Sequence, residues 1–271
     1  MELSGIGLAR RLEQAELAAA SACFACWAAE RPESGSRRLE VAGGVAFYYG
    51  SASPLSQALH VGMAGPVTAD EFQMLESFFF GLGAPAVVSL CPYADAGLVG
   101  LLGRHRFRIS HFEHTLVRAV PPDGPPEVEV PSGVTVEEAA APCRRLWART
   151  LMEGFADTEP LNPDMVEMFE VFAGAEGETA FLARVEGVPV GAAAMAVDAG
   201  TAMLFGDSTL PPWRGRGVHG ALIAGRLRQA ARAGCELAAA AAMPGSASQR
   251  NYERHGFRIA YTKAILVKDG M

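Results

Sequence analysis

The feature that most limits how this chain can fold is a repetition within it. Arg104-His105-Arg106-Phe107-Arg108-Ile109 recurs as Arg254-His255-Gly256-Phe257-Arg258-Ile259, and Leu116-Val117-Arg118 recurs as Leu266-Val267-Lys268, both at a shift of 150 positions. Two matches in one register, each following a helix-like stretch and closing a half of the chain, indicate an internal duplication of one α/β unit. Between the halves, Pro121-Pro122-Asp123-Gly124-Pro125-Pro126, with Pro131-Ser132-Gly133 close behind, can continue neither a helix nor a central strand and reads as a semi-rigid linker. The expected division is residues 1–120, a linker over 121–131, and residues 132–271. A chain of 271 residues divided in this way leaves each half long enough to bury a core.

The second half predicts a strand at 134–136 and a helix over 137–155 with Leu146, Trp147 and Leu151 on one face. A loop over 156–163 and a helix over 164–172 follow. Strands at 180–185 and 190–197 flank Glu186-Gly187, a hairpin signature, and a strand over 202–209 runs into a glycine-rich loop. From Val218 the apolar positions Leu222, Ile223, Leu227 and Ala231 mark a helix face. A buried strand at 237–242, a short helix over 246–255 and two terminal strands complete the half. The first half repeats this plan with strands at 45–49 and 59–63, a helix over 68–81, a strand at 86–90 and a helix over 95–103. It lacks the glycine loop: Ala64-Gly65-Pro66-Val67 leads straight into a helix with Thr68 and Glu71 at capping-box positions. Whatever the second half binds at its loop, the first is expected not to bind.

Composition narrows the function classes. Half the residues are hydrophobic and 20% are charged, which suits a compact chain and not a disordered one. A net charge of -7 gives no electrostatic reason to bind nucleic acid or an anionic membrane surface. The apolar run from Leu17 to Ala29 is shorter than the ~20 residues a membrane span needs. Five scattered cysteines fit a reducing cytosol, so a cytoplasmic location is expected. Cys23 and Cys26 form a C-x-x-C, but it lies in an apolar helical stretch with no second ligand pair, which reads as core packing. The six histidines have no metal-ligand spacing.

Chemistry concentrates in Arg214-Gly215-Arg216-Gly217-Val218-His219-Gly220, at a strand-to-helix junction. Gly215 and Gly217 permit unusual backbone angles, so consecutive N–H groups can converge on an anion at the positive end of the helix. Arg214, Arg216, Arg226, Arg228 and Arg232 are expected to add cations nearby. Gly215, Gly217 and Gly220 also satisfy G-x-G-x-x-G. Against a dinucleotide site, Pro211-Pro212-Trp213 separates strand from loop, and Glu236 opens the next strand instead of closing it. The absence of Gly-Lys-Ser/Thr excludes a nucleoside-triphosphate P-loop.

Pro211-x-Trp213-Arg214-Gly215-Arg216-Gly217-Val218 resembles the acyl-CoA signature of the GNAT superfamily of N-acetyltransferases, and Ser248-x-Arg250-Asn251-Tyr252-Glu253-Arg254-His255-Gly256-Phe257 resembles its closing helix. The two stand in the family's order and the resemblance covers roughly 132–271; the whole chain is similar to tandem GNAT proteins whose first copy has lost its cofactor motif. Two departures stand out: His219 occupies a position where Gly or Ala is usual, and the Asn often found early in the closing helix falls near Gly245-Ser246.

The resemblance implies an α/β fold of two tandem GNAT-like domains, each a mixed, mostly antiparallel sheet flanked by helices. It implies acetyl-CoA as cofactor, held by Thr209, Leu210, Arg214, Gly215, Arg216, Gly217, Val218, His219, Gly220, Ser248 and Asn251, where the strand ending at 209–210 splays from the strand at 237–242. A primary amine of a small molecule or a terminus would attack the thioester directly. Tyr252 would protonate the departing thiolate, and Asp207 is the first choice of base, with Glu153 and Glu170 as rivals. His255 is expected to be structural, since it matches His105 in the repeat. The acids Glu153, Asp157, Glu159, Asp164, Glu167 and Glu170 would suit a cationic amine. The competing class is a non-catalytic CoA-binding or structural tandem module, in which His219 and the missing Asn reflect lost turnover. Oligomeric state is left open.

Overall fold

The computed structural model describes residues 5–122, 133–156 and 160–270. Linker residues 123–131, and Asp157 and Glu159 of the expected acidic group, lie outside the described residues. In chain order the elements are α1 (Ile6–Glu30), β1 (Arg37–Val41), β2 (Gly44–Tyr48), β3 (Gln57–Leu59), α2 (Ala69–Gly81), β4 (Ala86–Leu90), α3 (Ala96–Arg104) and β5 (Arg108–Ala119). Then come β6 (Val134–Glu138), α4 (Arg144–Ala156), α5 (Pro163–Phe172), β7 (Glu178–Val185), β8 (Val188–Asp198), β9 (Thr201–Thr209), α6 (Val218–Arg232), β10 (Leu237–Ala242), α7 (Ala247–Arg254) and β11 (Arg258–Lys268). This is an α/β fold of mixed sheet flanked by helices.

Shifted by 150 positions, α2 falls on 219–231 within α6, α3 on 246–254 beside α7, and β5 on 258–269 beside β11. The duplication read from two short matches therefore extends through the backbone. The chain divides into two compact units that are not contiguous in sequence. The first comprises Met1–Leu17, Arg31–Thr115 and Ile259–Met271; the second comprises Ala18–Glu30 and Leu116–Arg258. This grouping departs from the sequential division at 121–131, because the closing strand of the second copy pairs with the first. In the first unit β11 runs antiparallel to β4, with Ala264 opposite Leu90 and Lys268 opposite Ala86.

The first unit orders its strands β1-β2-β3-β4-β11-β5. Its core gathers Phe72, Leu75 and Phe79 of α2, Leu98 and Leu102 of α3, and Val88 of β4. Strand β3 ends before the expected 59–63 strand does, because His60 (φ 63) and Gly62 (φ 74) turn the chain left-handed and His60 Nδ1 sits 2.9 Å from Gly43 O. The second unit is a β6-β7-β8-β9 antiparallel meander extended by β10 parallel to β9. Its β7–β8 turn is the expected Glu186-Gly187, with φ of 50 and 80. Alanine-rich faces on β8 and β10 let α6 pack closely through Val218, Leu222, Ile223 and Leu227. Burial of each Leu or Ile there contributes about 1.5–3 kcal/mol.

Three further differences have local causes. Helix α4 begins at Arg144 instead of Glu137, since β6 runs to Glu138 and Pro142 sits in a 3-10 turn over 141–143. Leu146 is exposed, the buried face of α4 being Trp147, Ala148 and Leu151. A single strand, β11, replaces the two terminal strands. Cys23 and Cys26 are free thiols on α1; the buried Cys23 donates to Glu178 Oε2 at 3.0 Å, and burial raises the Glu178 carboxyl to about 7. Among the described residues no helix is long and apolar enough to cross a membrane, and no group of three or more His, Cys, Asp or Glu is placed to hold a metal ion.

Candidate active site

The site of the second unit is made by a defect in the sheet. The β8–β9 register shifts between Ala192 and Ala194, and Gly206 takes φ 65, a conformation that favours glycine. The bulge frees carbonyl groups, which the neighbouring helices satisfy. Trp147 Nε1 donates to Ala193 O at 2.9 Å, and Arg226 Nη1 donates to Ala194 O at 3.1 Å and Phe205 O at 3.4 Å. The parallel pairing of β9 with β10 runs from Thr201–Leu237 to Leu204–Ala240 and then stops, so Asp207, Ser208 and Thr209 continue along the wall of a cleft of about 540 Å³. The pairing thus ends before the expected 209–210 position, while neither Leu210 nor any residue of 237–242 lines the cleft.

The glycine loop closes one end of the cleft. Gly215 and Gly217 both adopt left-handed angles, φ 74 and 78, and Gly217 caps α6 without any side chain on the helix N–H groups. Those donors are left to the cleft, at the positive end of a 15-residue helix. Thr209, Arg214, Gly215, Gly217, Val218, His219, Gly220, Ser248 and Asn251 all line it. Leu210 and Arg216 do not. Leu210 N instead donates to Val190 O at 3.0 Å, and the Arg216 guanidinium stacks on Trp213, 4.9 Å from the ring centroid. Arg214 folds back to donate to Gly154 O at 2.8 Å and Thr209 O at 3.2 Å, tying the loop to α4.

Arg226 corrects the expectation of a cation beside the cradle. It is fully buried, ion-paired with Asp207 Oδ1 beneath the cleft. Asp207 Oδ1 also lies 3.2 Å from His219 Nε2, and Oδ2 accepts from the Tyr252 hydroxyl at 2.5 Å. Burial works to raise the Asp207 carboxyl, but Arg226 and then His219 outweigh it and hold it well below the usual carboxylate range. Burial, against the opposing charge of Arg226, pushes the Tyr252 phenol well above its ordinary range. Asn251 Nδ2 meets His219 Nδ1 at 2.9 Å. With Asn251 donating, His219 carries its proton on Nε2, facing Asp207.

This network brings the two expected catalytic residues together but changes what each can do. Asp207 is an engaged, weakly basic carboxylate, with both oxygens occupied. Tyr252 is fully buried and is not part of the cleft wall. His219, expected only as a cofactor contact, lines the cleft with Nε2 against this carboxylate and Nδ1 against Asn251. The signal was its position, two residues after Gly217, on the first turn of α6. His255 also lines the cleft; its Nδ1 meets Asn251 O at 2.8 Å, and burial lowers its pKa. Neither rival base lines the cleft: Glu153, next to the lining Gly154, pairs with Arg149 at 2.6 Å, and Glu170 pairs with Arg145 at 3.0 Å.

Residues 143–257 match the model of the Acetyltransferase (GNAT) family. The second unit therefore carries a GNAT acetyltransferase domain. That match spans the bulge, the cradle and the closing helix, and acetyl-CoA is the cofactor of the family. Among solved structures, a GCN5-related N-acetyltransferase from Kribbella flavida is similar over 92% of this chain and 96% of its own, with 22% identity and a TM-score of 0.66. A GCN5-related N-acetyltransferase from Sphaerobacter thermophilus matches 69% of this chain and 61% of its own, with 19% identity and a TM-score of 0.57. A tandem GNAT protein from the clavulanic acid biosynthesis pathway matches 68% and 63%, with 15% identity and a TM-score of 0.51. At these identities the likeness is one of fold. No curated protein matches the chain in sequence.

Proposed function

We propose that the GNAT domain of the second unit transfers an acetyl group from acetyl-CoA to a primary amine of a small molecule or a terminus, by direct attack on the thioester. The observation that carries this reading is the start of α6. Two left-handed glycines leave its N–H groups free of side-chain caps at the end of a cleft large enough for a cofactor arm. Arg214, Gly215 and residues 217–220 would hold the pyrophosphate, and Asp207, Ser208 and Thr209 on β9 would line the acyl arm.

The reaction moves one proton from the amine nitrogen to the departing sulfur as the C–S bond breaks and the C–N bond forms. His219 is the group suited to take that proton, at Nδ1 once the Asn251 amide turns from it, and to return it to the departing sulfur, because the ionised Asp207 beside Nε2 stabilises the imidazolium as it forms. Tyr252 and Arg226 act through Asp207, fixing its two oxygens. This reassigns Asp207 from base to positioning residue, and Tyr252 from acid to partner of Asp207.

Calorimetry with acetyl-CoA, followed by thiol release over a panel of amines, tests the proposal. Cofactor binding with no release on any amine would favour a CoA-binding module. His219→Gln separates the roles: kcat should fall at least tenfold and the acidic limb of the pH profile should disappear, with acetyl-CoA affinity changing little. Tyr252→Phe should shift that limb while lowering kcat less. A larger loss in Tyr252→Phe than in His219→Gln would restore Tyr252 as the acid.

A further inference from the structure

The first unit has a cleft of its own, of about 920 Å³, at the end of its sheet where α3 and β11 finish. Two of its lining residues are held from behind by the buried carboxylate of Glu76, 3% exposed, whose two oxygens are taken by His105 Nδ1 and Lys268 Nζ, each at 2.6 Å. The pairing fixes both side chains while leaving each more than a quarter exposed on the cleft they line. Phe80 supplies an apolar wall, with the Lys268 ammonium 5.4 Å from its ring centroid. Arg104 and Arg106 stand at the rim, exposed and without an ion pair among the described residues. Glu76 balances Lys268 from behind, and the lining acid, Asp269, is paired with Arg108 at 3.1 Å. The two guanidinium groups are surplus positive charge on a chain whose net charge is -7.

Arg106 carries a second observation. It adopts φ 62, a left-handed angle that disfavours any residue with a Cβ. The second copy meets the same turn with Gly256, φ 79. The turn requires the angle but not the side chain, so an arginine there is strained for a reason the fold does not supply.

We propose that this cleft binds a small organic oxyanion, a phosphate ester or carboxylate joined to a flat apolar group. Arg104 and Arg106 grip the anion, His105 is held in place to hydrogen-bond it, and Phe80 lies against the apolar part. The site is independent of the acetyl-CoA cradle and does not depend on the proposed transfer reaction.

The test is calorimetry on the full chain with phenyl phosphate, benzoate and inorganic phosphate, with and without saturating acetyl-CoA. It is repeated on Arg106→Gly and on Arg104→Gln/Arg106→Gly. Arg106→Gly relieves the strained angle, so its Tm should not fall, and its acetyl-CoA affinity should match that of the unaltered chain. Phenyl phosphate or benzoate should bind more tightly than inorganic phosphate, and whichever is tighter should weaken at least tenfold in Arg106→Gly. The two aromatic probes show whether phosphate or carboxylate is preferred. Absence of binding up to about 10 mM, undiminished binding in the double variant, a preference for inorganic phosphate, or displacement by acetyl-CoA would each overturn the proposal.

Discussion

Helices α2 and α6 hold corresponding places in the two copies, yet they begin in opposite ways. At the head of α2, Thr68 Oγ1 accepts from Glu71 N at 3.2 Å and Glu71 Oε2 accepts from Thr68 N at 2.9 Å, so the helix fills its own positive end with a carboxylate. At the head of α6, Gly217 contributes no side chain and the end stays open. Self-capping stabilises a helix and removes its use for an external anion; an uncapped start forgoes that stability and keeps the donors available. The copies diverge inside as well. Glu76 on α2 and Arg226 on α6 stand 150 positions apart, both buried, with opposite charge. Each copy kept a buried charge on this helix but matched it to different neighbours: Lys268 and His105 in one, Asp207 in the other.

This contrast can be broken experimentally, beginning with the buried charges. Arg226→Met leaves Asp207 ionised in the interior and uncaps two bulge carbonyls, and should cost about 3–5 kcal/mol by denaturant unfolding. Glu76→Gln should cost only about 1 kcal/mol, because Lys268 and His105 can turn to water. Equal losses would remove the distinction between a sealed ion pair and a partly open one. Next, Gly217→Asp would put a carboxylate at the head of α6, as Glu71 does at the head of α2, at a left-handed angle that aspartate adopts more readily than most residues. Acetyl-CoA affinity should fall about 100-fold with little change in Tm, and unchanged affinity would show that the helix end does not hold the cofactor.

Among the described residues, each unit also holds one buried carboxyl raised to about 7. In Glu13 of the first unit, burial raises it against the opposing charge of Lys263; in Glu178 of the second, burial acts with no cation opposing it. A carboxyl that keeps its proton to about 7 when folded but releases it near 4.5 when unfolded stabilises at low pH, and that stability is lost as pH rises through 7. Glu178→Gln should therefore remove roughly half of the decline between about pH 5 and 8, a gain of about 1–2 kcal/mol at the upper end. An unchanged pH slope in thermal melts would assign it elsewhere. The smallest effect is expected from Thr68→Ala, about 1 kcal/mol of stability with acetyl-CoA binding unaltered.

The repeat, the hairpin at Glu186-Gly187, the capping box at Thr68 and the cradle at Gly215 and Gly217 were legible in the sequence. All depend on residues close together in the chain: a left-handed turn, a cap or an apolar period is decided within a few positions. The same locality explains the misjudged boundaries, where Pro142 delayed α4 and His60 ended β3.

What the tertiary structure alone decided is where charge goes. Arg226 reads as one more cation of a basic helix, and it is drawn inward because a bulge at Ala192–Ala194 on another strand leaves carbonyls that only a buried donor can satisfy. Asp207 loses its freedom as a base for the same reason, since its partners Arg226, His219 and Tyr252 come from two helices distant in sequence. The grouping of β11 with the first unit is likewise a matter of strand pairing, whose energy depends on which edge is exposed and not on the order in which the strands are linked.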